Sequence, residues 1–532
     1  MIVSRKSYTR PGIDSCLYLS AKSLMVNPTV GATNRVLTRS KTIHMPRFDS
    51  RTRDEAVKEH CGIVGIYSLK GEPVAERIVK GLSALQHRGQ ESWGIAVPGE
   101  PTVKGLGLIG VGAAANARKI LRLQGNRGIG HVRYSTRGRT TLENASPIDI
   151  KGEFSIAQNG TVANTEDLTP LVTGEFPILD DSNDTRLAGY RLLQHYRREH
   201  DWTRAFSRLA KELSGSYCFM ILTKEGEVLA ARDEAGFRPL CIGYDEENKT
   251  HIITSESCAL TALHADFVRD VQPGELVRLT GEGVISTRFA DSPRHYHCPF
   301  EYTYFAHPSS SIEGHNVYET RRQLGRVLAR KYPFKADVVI PVPDSARPAA
   351  LGYAEESGIP MEEGLMKDRY RKKGNLRSFI EPTDESREEI VREIITIKPV
   401  VEGKRVIVVD DSIVRGTSSK NIIRALRDAG AKKVYMVVTF PPIRHPCYMG
   451  IDFPTREELL ANRVDGEDTA ISELNKKVAN EIGVDGLGYN DMEGLTKGIG
   501  LRQDEMCFAC VTGNYLGLKK NPVVRTREEM KA

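Results

Sequence analysis

No apolar run in this chain approaches the ~18 residues that crossing a bilayer takes, so a membrane-spanning helix is not expected. The sequence also lacks a general excess of basic charge. Its formal +6 sits in one place: residues 1–60 hold eleven Lys/Arg against five Asp/Glu, and the rest carries equal numbers of each sign. A neutral body has no electrostatic footprint for DNA or RNA, which argues against a nucleic-acid partner. The nine cysteines fall at irregular spacings with no signal peptide ahead of them, which excludes a secreted disulfide framework. What remains is the composition of a globular protein, 40% hydrophobic and 27% charged, and 532 residues are too many for one core. Residues 1–50 are basic, rich in Ser and Thr and almost free of acids. An organelle transit peptide has that composition, and so does a stretch upstream of an internal start at Met45; the second reading is preferred narrowly. The expected location is cytoplasmic, with import through residues 1–50 left open.

The stretch that organises the chain is Arg405-Val-Ile-Val-Val-Asp-Asp-Ser-Ile-Val-Arg-Gly-Thr-Ser-Ser-Lys420. Its short β-branched run reads as a buried parallel strand. Asp410 and Asp411 stand at the C-terminal end. The chain then turns through Arg415, Gly416, Thr417 and Ser418 into a helical pattern over 421–429, stopped by Gly430. A small-residue turn at a helix N-terminus points N–H groups at an anion, and the helix dipole favours its charge. Two acids beside such a cradle suit sugar hydroxyls and a hard cation. Strand, acid pair and Gly-Thr-Ser turn, in that order, resemble the phosphoribosyl pyrophosphate (PRPP) loop of type I phosphoribosyltransferases. The resemblance implies that Asp410 and Asp411 grip the ribose and that Ser412, Arg415, Gly416, Thr417 and Ser418 hold the 5-phosphate. Two further parallel strands read from 336–342 and 433–439, with a helix over 347–357, which gives an α/β class with ligands at the carboxyl ends of the strands. The turn from Pro341 to Arg347 resembles the family's pyrophosphate loop, so Ser345 with Asp410 and Asp411 would hold Mg²⁺. The basic run Lys367-Asp-Arg-Tyr-Arg-Lys-Lys-Gly-Asn-Leu-Arg-Ser-Phe-Ile380 matches in position the loop that closes over PRPP, in a longer form than relatives usually have.

The first half begins Glu59-His60-Cys61-Gly62-Ile-Val-Gly-Ile-Tyr67, a strand with a cysteine at its very start. A helix reads over 74–86, then short strands near 93–97, 128–133, 154–158 and 217–223, and helices over 185–198 and 202–213. Strands with hairpin-sized turns and grouped helices argue an α+β layered domain. A cysteine at a strand start is commonly a small buried hydrophobe. Here five motifs follow one another: the Cys61 strand, His87-Arg88-Gly89-Gln90, Gly130-His-Val-Arg-Tyr-Ser-Thr136, Gln158-Asn-Gly160 and Asp181-Ser-Asn-Asp-Thr185. Together they resemble the class II glutamine amidotransferase domain, an N-terminal-nucleophile hydrolase. That resemblance implies Cys61 as nucleophile once everything before it is removed, its own α-amine acting as base. Asn159 and Gly160 would stabilise the oxyanion, and Arg88, Gly89, Arg133 and Asp184 would bind glutamine. Arg186 stands where relatives usually have an acid, and His60 stands where they often have one.

Cys507-Phe-Ala-Cys510 is a two-residue gap that fits surface thiols, half a zinc site or half a cluster site. A glutaminase followed by a PRPP-binding transferase resembles the glutamine phosphoribosylpyrophosphate amidotransferase family. Within it, His297-Cys298-Pro-Phe-Glu-Tyr and Pro446-Cys447-Tyr-Met-Gly match the iron–sulfur-bearing branch. That implies a [4Fe–4S] cluster on Cys298, Cys447, Cys507 and Cys510, with Cys16, Cys218, Cys241 and Cys258 ordinary thiols. The expected division is a leader or propeptide over 1–60, an α+β N-terminal-nucleophile hydrolase sandwich over 61–295, an α/β type I phosphoribosyltransferase domain with the cluster ligands over 296–515, and a tail over 516–532. The resemblance further implies glutamine and PRPP as substrates, Mg²⁺, a homotetramer, and inhibition by AMP and GMP. Two other assignments compete. A glucosamine-6-phosphate-forming amidotransferase shares the first domain but needs sugar-isomerase domains in place of Asp410–Asp411. A PRPP-sensing repressor needs a basic DNA-binding module and has no use for Cys61, Asn159 and Gly160.

Overall fold

A computed structural model describes residues 61–134, 140–176, 183–292, 294–367, 394–451, 453, 455–466, 469–516 and 518. The leader, nearly all of the 367–380 loop, Asp181 and Ser182, and the tail beyond 518 lie outside the described residues.

The first half stacks two sheets between helices. Four strands matter for the site: β1 (Gly62–Ser68), β2 (Ser92–Ala96), β3 (Arg127–Arg133) and β4 (Phe154–Val162), joined by β5 (Gly215–Thr223). A seven-stranded sheet runs Asp266–Asp270, Cys241–Asp245, Thr250–Thr254, β1, β3, β2, Val103–Leu106. A six-stranded sheet runs Gly283–Arg288, Glu275–Thr280, Val228–Arg232, β5, β4, Ile148–Ile150. Strand alternation decides how they pack. Ile63 and Ile129 face Ala157, Cys218 and Met220 across the layer between the sheets. Val64, Ile66, Trp93 and Val132 point the other way, onto helix Ala75–Ala84. Phe154, Ile156, Phe219 and Ile221 pack against helices Asp184–Glu199 and Trp202–Glu212. This helix–sheet–sheet–helix stack is the layered sandwich of an N-terminal-nucleophile hydrolase.

The second half is a four-stranded parallel sheet, β6 (Val338–Pro341), β7 (Arg405–Asp410), β8 (Lys433–Val438) and β9 (Gly486–Tyr489), in sequential order. Both faces are buried, which is why its strands read as unbroken apolar runs. Val406 and Val408 face helices Thr417–Asp428 and Ile471–Ile482; Ile407 and Val409 face Val317–Lys331 and Arg347–Ser357. The last two helices touch backbone to backbone. A methyl added at Gly325 would lie 1.9 Å from the Ala349 carbonyl oxygen, and one at Gly352 would lie 1.8 Å from that of Arg322.

Two differences from the sequence reading bear on the site. The helix after the acid pair starts at Thr417 rather than 421, with Gly416 (φ +85°) immediately before it. The polar pattern Thr-Ser-Ser-Lys hid that first turn. Strand β4 continues through Asn159 and Gly160 to Val162, because pairing with β5 supplies the ladder partners.

Candidate active site

Cys61 directly precedes β1. Its Sγ donates to the Tyr134 carbonyl (3.6 Å), and burial pushes the thiol up, with Arg133 and Arg88 pulling it down and Asp184 pushing it further up. Three of the expected glutamine-binding residues therefore act electrostatically on the nucleophile. A thiol in such surroundings rests protonated and needs a base to act.

Arg88 is turned inward. Its Nε donates to the Cys61 carbonyl (3.2 Å), its Nη1 to Glu256 (2.6 Å) and Glu301 (2.9 Å), and its Nη2 to Glu301 (2.8 Å). The side chain is 1% exposed. Grouped above with the glutamine-binding residues, it holds the nucleophile's carbonyl with its guanidinium. Gly89 lies so close to β3 that a methyl would sit 2.6 Å from the Val132 carbonyl. A bare backbone is the only thing that fits beside Arg133.

On β4, Asn159 is fully buried. Its Nδ2 makes one long bond to Ser255 Oγ (3.5 Å), and its Oδ1 has no partner among the described residues. An amide so lightly engaged is available to a ligand. Gly160 has φ +137°, where a side chain would be strained, and a methyl there would lie 2.3 Å from the Ser216 carbonyl oxygen. His131 Nε2 bonds the Gln158 carbonyl (3.1 Å), fixing the peptide that leads into Asn159. Burial, with Arg133 second, holds this imidazole neutral, its pKa down to about 3. Asp184 accepts from the Val162 and Thr185 N–H groups, both at 2.9 Å. The Arg186 side chain leaves that pocket and donates to the Glu143 carbonyl (3.3 Å).

In the second half, Ser345 Oγ donates to Asp411 (2.5 Å), Ser412 Oγ donates to its other oxygen (2.7 Å), and the Asp411 N–H donates to Asp410 (2.9 Å). Burial pushes both carboxyls up, Asp410 furthest because Asp411 repels it, while the Ser345 and Ser412 hydroxyls and the charges of Arg321 and Lys367 draw Asp411 back down. A buried acid pair fits a cation or sugar hydroxyls. No side chain caps the helix that starts at Thr417, so its first N–H groups face the turn. Arg463 Nη2 secures that turn at the Arg415 carbonyl (2.6 Å).

Between the two sites lies Glu301–Phe305, a wide π-type turn. Arg321 clamps it, donating to the carbonyls of Tyr302, Tyr304 and Ala306, each at 2.8 Å. Burial lowers this guanidinium to about 10, while Asp411 on one side and Glu256 on the other favour its charge.

The four cysteines assigned to the cluster converge. The His297 N–H donates to the Glu505 carbonyl (2.8 Å) and the Cys507 N–H to the His297 carbonyl (2.9 Å), which sets Cys507 beside Cys298, and the Cys510 carbonyl accepts from Arg444 and His445, just ahead of Cys447. Cys447 Sγ accepts from the Met449 and Ile451 N–H groups (3.3 and 3.4 Å). None of the four is in a disulfide among the described residues, and burial pushes three of them up, Cys298 to about 12. The one trio of candidate metal ligands within 4.8 Å of one another among the described residues is elsewhere: His87, Glu256 and Cys258. Glu256 there already accepts from His87, Arg88, the His307 N–H and Ser310, which leaves no lone pair aimed at an ion.

Sequence reasoning missed Glu256, Glu301, Arg238 and Arg321. Each is an isolated charge whose partners lie far along the chain, and only burial marks it.

Comparison with known proteins follows the same division. A glutamine amidotransferase domain matches residues 131–262 and a phosphoribosyl transferase domain matches 314–450. The chain is 42% identical over 477 residues to an amidophosphoribosyltransferase of Methanocaldococcus jannaschii, covering 86% of this chain and 97% of that one. It is 44% identical over 469 residues to one from Pyrococcus horikoshii, covering 87% and 98%. Among solved structures, the glutamine PRPP amidotransferase of B. subtilis complexed with ADP and GMP superposes with a TM-score of 0.75 at 38% identity, covering 87% of this chain and 99% of that one.

Proposed function

The chain belongs to the amidophosphoribosyltransferase family, and from that premise we propose which of its residues carry each half of the reaction. The transformation is hydrolysis of glutamine to glutamate and ammonia, and displacement of pyrophosphate from PRPP by that ammonia to give 5-phosphoribosylamine, the first step of purine synthesis.

In the first half, 61–295, the Cys61 thiol attacks the glutamine side-chain carbonyl. Its proton goes to the α-amine that processing before Cys61 frees, and from there to the departing ammonia; water then clears the thioester. The raised thiol supports a base placed that close. Asn159 and the Gly160 N–H take the oxyanion. Arg133 pairs with the substrate carboxylate, Asp184 takes the ammonium, and Gly89 offers backbone.

In the second half, 296–515, the 415–418 turn and helix N-terminus hold the 5-phosphate, and Asp410 and Asp411 hold the ribose. Ser345, Asp410 and Asp411 would hold Mg²⁺, which would supply positive charge to offset that of a departing pyrophosphate. The four cysteines would hold a [4Fe–4S] cluster; four thiolates suit zinc as well, and the family resemblance supports the cluster. Its role is to tie 298 and 447 to the C-terminal region, since no step here transfers an electron. A homotetramer in the cytoplasm is the assembly and location that the family resemblance supports; no described helix is long and apolar enough to cross a membrane.

The observation that carries this reading is one buried run. Cys61, Arg88 and Glu301 lead into the turn that Arg321 clamps, and the charge of Asp411 acts on Arg321 from the other site. Replacing both Asp410 and Asp411 by Asn should abolish product from glutamine and from ammonium alike, and intact mass should give an N-terminus reading Cys-Gly-Ile-Val. Ammonium-dependent activity surviving in the Asn pair, or an active enzyme retaining residues 46–60, contradicts the assignment.

A further inference from the structure

We propose that the glutaminase site is completed by the second half of the chain, with Glu301 and the Met449–Gly450 backbone acting as positioning groups for Cys61 and for the Asn159–Gly160 pair. This rests on the reading of Cys61 as nucleophile and of Asn159 and Gly160 as oxyanion donors.

Two contacts from beyond residue 296 reach the hold on Cys61 and the oxyanion strand. The first is electrostatic. Arg88 grips the Cys61 carbonyl and is itself held by a bidentate pair with Glu301. A fork-to-fork pair fixes direction as well as charge. Arg238, fully buried, donates to Glu301 (3.0 Å) through one nitrogen and to the Met449 carbonyl (2.6 Å) through the other. Glu301 therefore links the hold on Cys61 to the hold on the 447–451 loop.

The second contact is steric and falls on the oxyanion strand. The Met449 carbonyl also accepts from Ser216 Oγ (2.7 Å), and Ser216 pairs with Thr161 across β5 and β4. The next residue, Gly450, has φ +95°, and a methyl there would lie 3.1 Å from Thr161 Oγ1, 3.2 Å from Arg238 Nη2 and 3.3 Å from the Gly160 carbonyl carbon. The loop backbone thus lies against the Thr161 side chain and the carbonyl end of Gly160, next to the donor pair. Gly160 is itself clamped on its other side by the Ser216 carbonyl. A shift of the loop must shift Gly160 or open a gap beside it.

A positioning role makes a kinetic signature that a structural role does not. Misplacing a reacting group by about 1 Å costs on the order of a hundredfold in rate. Glu301→Gln leaves the shape and removes the charge that aims Arg88; kcat for glutamine hydrolysis should fall about thirtyfold to a hundredfold, with KM for glutamine within about threefold. Gly450→Ala pushes on Gly160 and should lower the same kcat about tenfold. Ser216→Ala removes one neutral hydroxyl and leaves Arg238 on Met449; it should cost roughly threefold to tenfold, and it keeps the test open if the charge variant does not fold. In all three, phosphoribosylamine formation from PRPP and ammonium should stay within about twofold. Equal losses in both half-reactions would overturn the proposal, because they would mean general destabilisation, and so would unchanged glutamine hydrolysis in Glu301→Gln and Ser216→Ala. A Cys61→Ser protein that still hydrolyses glutamine would sink the underlying reading instead.

Discussion

Gly416→Ala separates backbone strain from ligand binding at the phosphate turn. Gly416 sits at φ +85° with a missing methyl's place only 2.6 Å from the Leu460 side chain. An L-residue held left-handed costs about 1–2 kcal/mol, and the Leu460 contact adds to this unless that flexible end moves. The strain can be released by letting the turn relax, which splays the N–H groups of Thr417 and its neighbours. Binding PRPP must then restore the turn, and about 1.4 kcal/mol of restoring cost is a tenfold weaker KM. Gly358 is the internal control. It has φ +72° at the end of helix Arg347–Ser357, and an added methyl would meet nothing within 4 Å. Gly358→Ala should cost about 1 kcal/mol of stability and leave PRPP binding alone. The assay is initial velocity against PRPP with ammonium as nitrogen source, so the glutaminase is not involved, alongside denaturant midpoints. An unchanged KM for PRPP in Gly416→Ala, with stability lowered as in Gly358→Ala, would refute the phosphate role of this turn.

Three further outcomes follow from the packing and the charges. Gly352→Ala puts a methyl 1.8 Å from a carbonyl oxygen on the neighbouring helix and should destabilise by about 3 kcal/mol or more, read from denaturant unfolding. His131 is held near a pKa of about 3, against about 6.5 unfolded, so the unfolded chain takes up a proton below pH 6.5 that the fold refuses. Its contribution to stability is therefore present above pH 6.5 and is lost as pH falls towards 3, by up to about 1.4 kcal/mol per pH unit. Wild type should lose stability more steeply than His131→Asn over pH 6.5 to 5, and a His131 ring resonance titrating near 6.5 would contradict this. Anaerobic purification should give a brown protein with about four irons and four labile sulfides per chain; a colourless preparation with one zinc would overturn the cluster.

The parts of this site that the sequence displayed are those built from local pattern. The run Val406–Val409, the acids after it and the Gly-Thr-Ser turn occupy consecutive positions, so one strand-to-helix joint carries them. The strands at Cys61, Arg133 and Asn159 were visible as short apolar runs because each buries one or both faces. Arg88 shows where local pattern stops. Its motif was evident, but which way its guanidinium points depends on Glu256 and Glu301, 168 and 213 residues away. Glu301 falls within the motif quoted around Cys298, but neither that motif nor the surroundings of Glu256 points to Arg88 as the partner. The same holds for Arg321, whose partners are carbonyls and leave no trace in residue type. Gly450 stands in the motif quoted around Cys447, but that motif does not disclose its reason, the approach of a strand from the other half of the chain.

The central claim is that one chain holds two chemistries joined by ammonia, with Cys61 serving only the first. The most direct measurement is phosphoribosylamine formation by Cys61→Ser with glutamine and, separately, with ammonium. The account predicts no product from glutamine and a near wild-type rate from ammonium. Loss of both in a folded protein, or retention of the glutamine-dependent rate, would contradict it.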